Sequence, residues 1–117
     1  MTPEELKKRM QQFALRVIRL VESLPKTRTA NVIGNQLLDS ATSVGANYRA
    51  ACRGRSKADF ISKLGIVEEE ADESVYWLEM LIAAKVVKLN AVAELLKEAN
   101  ELTAIVAASR KTAKANR

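Results

Sequence analysis

The chain has 117 residues, 48% of them hydrophobic but only 4% aromatic, and a formal net charge of +5 with no histidine. That length suits one domain with one core, and four glycines and two prolines are too few turn-makers for an all-β fold. Without imidazole there is no His-activated nucleophile, no His zinc site and no Glu-x-x-His di-iron site, and a single cysteine, Cys52, can form no internal disulfide.

The first helix is expected over residues 3–24. Thr2 can cap it, and Glu5 completes a capping box three residues later. Leu6, Met10, Phe13, Val17, Leu20 and Leu24 recur at steps of three and four, which makes one apolar stripe. Pro25 stops it. The spacing predicts a second helix over 29–53, capped near Thr29, with Ile33, Leu37, Ala41, Val44, Tyr48 and Ala51 as its stripe. Gly34 and Gly45 each weaken it by about 1 kcal/mol relative to Ala, a cost that close approach of a neighbouring helix would explain. Gly54 is the expected stop.

Ser56 caps the third helix, with Asp59 in the capping-box position, and the stripe runs Phe60, Leu64, Val67, Ala71, Val75, Leu78 and Ile82. Nothing after Gly65 interrupts it, so it is expected over 57–87. Asn90 is the expected cap of a fourth helix over 91–110, with Val92, Leu95, Ala99, Leu102 and Val106 inward. The tail 111–117 loses its apolar face and is expected to fray. Short connections turn each helix back along its predecessor. The expected fold is therefore all-α, one antiparallel up-down-up-down four-helix bundle spanning 1–117. An extended three-helix hairpin that completes its core only in an oligomer is the structural alternative. No apolar run approaches the roughly 20 residues of a membrane span, and the N-terminus reads as a helix start and not as a signal peptide. A cytoplasmic protein with no membrane contact is expected.

Charge is unevenly placed. Residues 58–90 hold seven acidic and three basic side chains, whereas residues 1–28 hold three and seven. Arg49, Arg53, Arg55 and Lys57 surround the second interhelical turn. They either offset the negative end of a helix dipole, worth about 0.3–1 kcal/mol each, or contact phosphates. No aromatics interleave them, which weakens sequence-specific RNA readout. The acidic run around Glu69, Asp72 and Glu73 is either a solvated face or an oligomer contact. Tyr76, Trp77 and Met80 flank the third stripe, where they cover the bundle's edge or anchor an interface. Asn47 in the second helix either bonds a carboxylate on the third or faces solvent. Cys52 is expected to be a small core or boundary residue. No catalytic set, metal site or cofactor emerges, and a non-enzymatic role is expected.

The segments Ser43-Val44-Gly45-Ala46-Asn47-Tyr48-Arg49-Ala50-Ala51, Arg55-Ser56-Lys57-Ala58-Asp59-Phe60 and Glu69-Glu70-Ala71-Asp72-Glu73-Ser74, with Tyr76-Trp77-Leu78-Glu79, resemble the four-helix bundle proteins encoded in intervening sequences of bacterial 23S ribosomal RNA genes. The resemblance covers about residues 10–105 and is specific over 43–80. It implies an antiparallel bundle that assembles as a ring-like homo-pentamer and is not an enzyme. The family is also similar to the accessory protein of diversity-generating retroelements, a pentamer that binds nucleic acid and a reverse transcriptase. By residue type, the resemblance makes Arg49, Arg53, Arg55 and Lys57 the nucleic-acid contacts. It makes Asn47, Glu69, Asp72 and Glu79 a polar set that fixes packing. Two functions follow as expectations. One is an oligomeric RNA- or DNA-binding accessory protein. The other is a protein-interaction scaffold with no nucleic-acid role.

Overall fold

The structure, a computed structural model, describes residues 1–116. Four helices follow one another: α1 (Pro3–Ser23), α2 (Arg28–Cys52), α3 (Lys57–Ala83) and α4 (Leu89–Ala115). Each packs on its chain neighbour, and α4 returns to close against α1. The backbones of the diagonal pairs, α1 with α3 and α2 with α4, do not approach one another. The result is a closed bundle, 48 × 21 × 20 Å, and not the extended three-helix hairpin.

The expected stripes form the core. Met10, Phe13, Val17, Leu37, Val44, Leu64, Val67, Leu78, Leu102 and Val106 are all fully or almost fully buried. Beside the third stripe Ile61, Ser74 and Leu81 are buried as well. The expected stripe ends Phe60 and Ile82 on α3, and Leu20 and Leu24 at the end of the first stripe, are instead half-buried and pack on the edge of the core. Ser40 and Ser74 are buried together at the α2–α3 seam, their hydroxyls 3.1 Å apart, and each also reaches a carbonyl of its own helix. Buried hydroxyls stay this way only when satisfied.

The glycines of α2 mark its approach to α1. A Cβ on Gly45 would stand 3.4 Å from Met10 Cβ, and one on Gly34 would stand 3.1 Å from Leu24 Cδ1. Gly54 acts by space and not by a left-handed turn. Its φ is not positive, and a Cβ there would meet both Ala51 O and Asp59 Oδ2 at 3.0 Å.

Several helix ends differ from expectation. Both halves of the Thr2–Glu5 capping box form. The cap of α2 is Thr27 and not Thr29, its hydroxyl accepting from the Ala30 amide. Ser56 caps α3, but the Asp59 carboxylate accepts from the Arg55 amide and pairs with Lys63. The third helix ends at Ala83, four residues short of 87. Lys85 takes φ 60°, and the amides of Lys85 and Val86 reach back to the carbonyls of Ile82 and Leu81. This is a Schellman stop made with lysine where glycine is usual. Left-handed backbone costs a residue with a Cβ about 1–2 kcal/mol. Lys85→Gly is therefore expected to stabilise the fold by about 1 kcal/mol, visible as a rise of a few degrees in a thermal melt.

The fourth helix starts at Leu89 with no side-chain cap, so Asn90 lies inside it. It runs on to Ala115, and the segment 111–115 expected to fray is helical. The start of α3 supports that last turn: the Lys57 ammonium donates to the Asn116 carbonyl, and Ala113 is half-buried. Residue 117, the end of the expected frayed tail, lies outside the described residues.

The seam between α1 and α4 is the slightest of the four. One polar clasp bridges it. The Arg9 guanidinium donates to both oxygens of Glu98, at 2.7 and 2.6 Å, and to Glu101 at 2.8 Å. The Glu98 bond is the main reason that Arg9 binds its proton even more tightly than an ordinary arginine.

Candidate nucleic-acid interface

Antiparallel order brings the starts of α1 and α3 to the same pole as the ends of α2 and α4. That pole collects cations from all four helices. Arg49 lies on the last turns of α2, Arg53 caps that helix and Arg55 follows in the turn. All three are exposed, and among the described residues none of their guanidinium groups makes an ion pair. They line one open groove of about 420 Å³ with Lys63 of α3. Lys63 is held by Asp59, 2.9 Å away. That bond, with the Arg55 amide, keeps the Asp59 carboxyl below the usual range.

Lys57, expected among these contacts, lies on the next groove, between α3 and α4, with Arg110 and Lys114. Its bond to the Asn116 carbonyl turns it toward α4. On the other flank, Arg49 also lines the groove between α1 and α2 with Lys7 and Lys8. Thus Lys7, Lys8, Lys63, Arg110 and Lys114 join the basic set although no local pattern in the sequence singles them out. Adding charges by pole, once the antiparallel order is inferred, would have found them. The acids that face this basic set are Glu4, which pairs with Lys7 at 3.1 Å, Glu5, Asp59 and, opposite Arg110, Glu68. Glu5 is spent on the α1 cap, and the Thr2 amide is the main cause of its lowered pKa.

The acidic run lies elsewhere, along the outward side of α3. Glu69, Asp72 and Glu73 are exposed, while Glu68 stands 3.2 Å from Arg110 without hydrogen-bond alignment. Tyr76 is 52% exposed and meets Trp77 edge-on, with ring centroids 4.9 Å apart. Trp77 and Met80 are half-buried and pack on the edge of the core. Glu79 is exposed. Asn47 does not reach α3. Its side-chain amide donates to the Ser43 carbonyl of its own helix at 2.8 Å, so it ties back on α2 instead of fixing the α2–α3 packing. Cys52 is half-buried at the core boundary. Burial first, and then the Cys52 thiol, push the neighbouring Tyr48 hydroxyl up to about 12. No group of three acidic or thiol side chains that could hold a metal occurs among the described residues.

Partial burial first, and then Glu73, Glu69 and Asp39, push the Glu70 carboxyl upward. Its folded pKa exceeds its unfolded one, so its contribution to stability is full in acid and is lost as pH rises through the folded value. Glu70→Gln is therefore expected to match the wild type in stability near pH 3 and to exceed it near pH 7. Urea midpoints across that range check the sign.

The family model for 23S rRNA-intervening sequence proteins matches residues 4–108. The chain belongs to that family. A solved structure of similar shape is a protein of unknown function from the S23 ribosomal protein family of Bacteroides thetaiotaomicron. The two are 33% identical, with a TM-score of 0.87, over 95% of this chain and 99% of that one. No curated protein matches the chain at a significant level. Family membership agrees with the four-helix architecture, and no helix among the described residues is long and apolar enough to cross a membrane.

Proposed function

We propose that this member of the 23S rRNA-intervening sequence protein family is a non-enzymatic, self-associating cytoplasmic bundle whose basic pole binds the phosphate backbone of RNA or DNA. The observation that carries the reading is the pole itself. Arg49, Arg53 and Arg55 are exposed without counter-ions there, flanked by cations from the other three helices. A helix dipole accounts for one or two of them at the end of α2, and Glu4 and Asp59 pair with Lys7 and Lys63, but nothing among the described residues pairs with Lys8 or with the three arginines. The exposed Tyr76 lies on the side of α3, and the aromatics near the pole, Tyr48 and Phe60, are buried or half-buried. Contact is therefore with backbone and not through stacked bases.

Binding of a fluorescent duplex measured across a salt series tests this. The logarithm of the association constant should fall linearly with the logarithm of salt concentration, by about 0.9 per phosphate neutralised. No binding at low salt, or binding indifferent to salt, would overturn the reading. The alternative is a protein-interaction scaffold with no nucleic-acid role. It draws on the exposed Tyr76 beside Trp77, since such pairs are enriched at protein interfaces. Resemblance to the family supports a ring-like homo-oligomer, a pentamer in particular. Light scattering that finds a monomer at micromolar concentration would count against it.

A further inference from the structure

The outward faces of α1 and α3 look in opposite directions, because the two helices are diagonal in the bundle. Both faces carry apolar side chains that the core leaves outside. On α1 these are Leu15 and Ile18, 40% and 36% exposed. On α3 they are Ile66 and Tyr76, 42% and 52% exposed.

The charges around the two apolar pairs are of opposite sign, although both helices start mixed, with Glu4 and Glu5 on α1 and Lys57 and Lys63 on α3. From Leu6 to Val21, α1 holds Lys7, Lys8, Arg9, Arg16 and Arg19 and no carboxylate. From Leu64 to Ala83, α3 holds six carboxylates and no cation. Glu4, four residues before Lys8, and Glu22, three after Arg19, border the α1 face at its two ends. The spacing matches as well. Lys8, Gln12, Leu15 and Arg19 follow one another at steps of four, three and four, as do Glu69, Glu73, Tyr76 and Met80, so each set lies along one helix side. Among the described residues, Lys8, Arg19, Glu69 and Glu73 have no ion pair. Within one chain they cannot meet, since the bundle stands between them. The crowding of Glu70 by Glu69 and Glu73 is a repulsion that an approaching basic surface would relieve.

We infer that the acidic, Tyr76-centred face of α3 in one copy seats on the basic, Leu15-centred face of α1 in the next. This rests on the proposed self-association and adds the two surfaces that perform it. Because the faces differ, the contact is head-to-tail, and each copy keeps one face free for a further neighbour until the chain of copies closes into a ring. Apolar centres ringed by opposite charges supply both adhesion and orientation.

A charge swap tests this on the full chain. Lys8→Glu with Arg19→Glu makes both faces acidic, and Glu69→Lys with Glu73→Lys makes both basic. All four positions are on the surface, and circular dichroism checks that each variant remains folded. In sedimentation velocity the wild type should be an oligomer, and each paired variant should associate at least about tenfold more weakly. An equimolar mixture of the two, or one chain carrying all four changes, should recover association, because complementary faces are restored. Paired variants that assemble like the wild type, or a fourfold variant that stays monomeric, would overturn the choice of faces while leaving self-association standing. A monomeric wild type would overturn both.

Discussion

Replacing Arg49, Arg53 and Arg55 together with glutamine is expected to weaken nucleic-acid binding by about tenfold per side chain at low salt. The salt dependence should flatten at the same time, by about one unit of slope per cation removed. Thermal stability should hardly change, because all three guanidinium groups are exposed and unpaired within the chain. The informative control removes the same charge from the opposite pole. Lys26, Arg28 and Lys88 sit at the turns into α2 and α4, and their replacement by glutamine should leave binding nearly intact. Equal losses in the two triple variants would mean that total charge matters and the pole does not. Electrophoretic shift with one duplex at two salt concentrations separates these results.

The second large effect is on stability. Phe13→Ala should lower the unfolding free energy by about 3–5 kcal/mol, a drop of roughly 10–20 °C in melting temperature. Phe13 is 1% exposed and is the largest fully buried side chain. It projects from α1, whose seam with α4 is slight and otherwise depends on the Arg9 clasp. In a closely packed core the surrounding side chains relax only partly into the space it leaves. Urea denaturation of the variant gives the value. A loss below about 1 kcal/mol would show that the α1 side of the core collapses freely around the gap.

What the sequence made legible was local. The Thr2–Glu5 box, the cap at Ser56 and the four stripes each depend on residues within a turn or two of one another, and all of them appear in the fold. The helix ends that differ from expectation depend on something else. The third helix stops at a lysine in left-handed backbone, and residue type alone marks no stop there. The fourth continues to Ala115 because the start of α3 lies alongside, a tertiary support with no local mark. The candidate site divides in the same way. Arg49, Arg53 and Arg55 are neighbours in sequence and stood out at once, whereas Lys7, Lys8, Arg110 and Lys114 join them only through topology. Lys57 was near in sequence but is drawn to α4. Leu15 and Ile18 lie between members of the inward stripe of α1, so its periodicity does not mark them.

The antiparallel order of the helices also has a practical consequence for anyone handling the protein. Pro3 and Ala115 lie at the same end of the bundle as the Arg53–Arg55 turn. An affinity tag or fluorescent fusion on either terminus would hang beside the arginines and compete with whatever they hold. The turns at 24–27 and 84–88 are at the far end, about 40 Å away for a helix of this length. A label inserted there would report on binding without standing in its path. Joining the termini with a short linker and opening the chain at the 84–88 turn would give a permuted bundle with its new ends far from the basic pole.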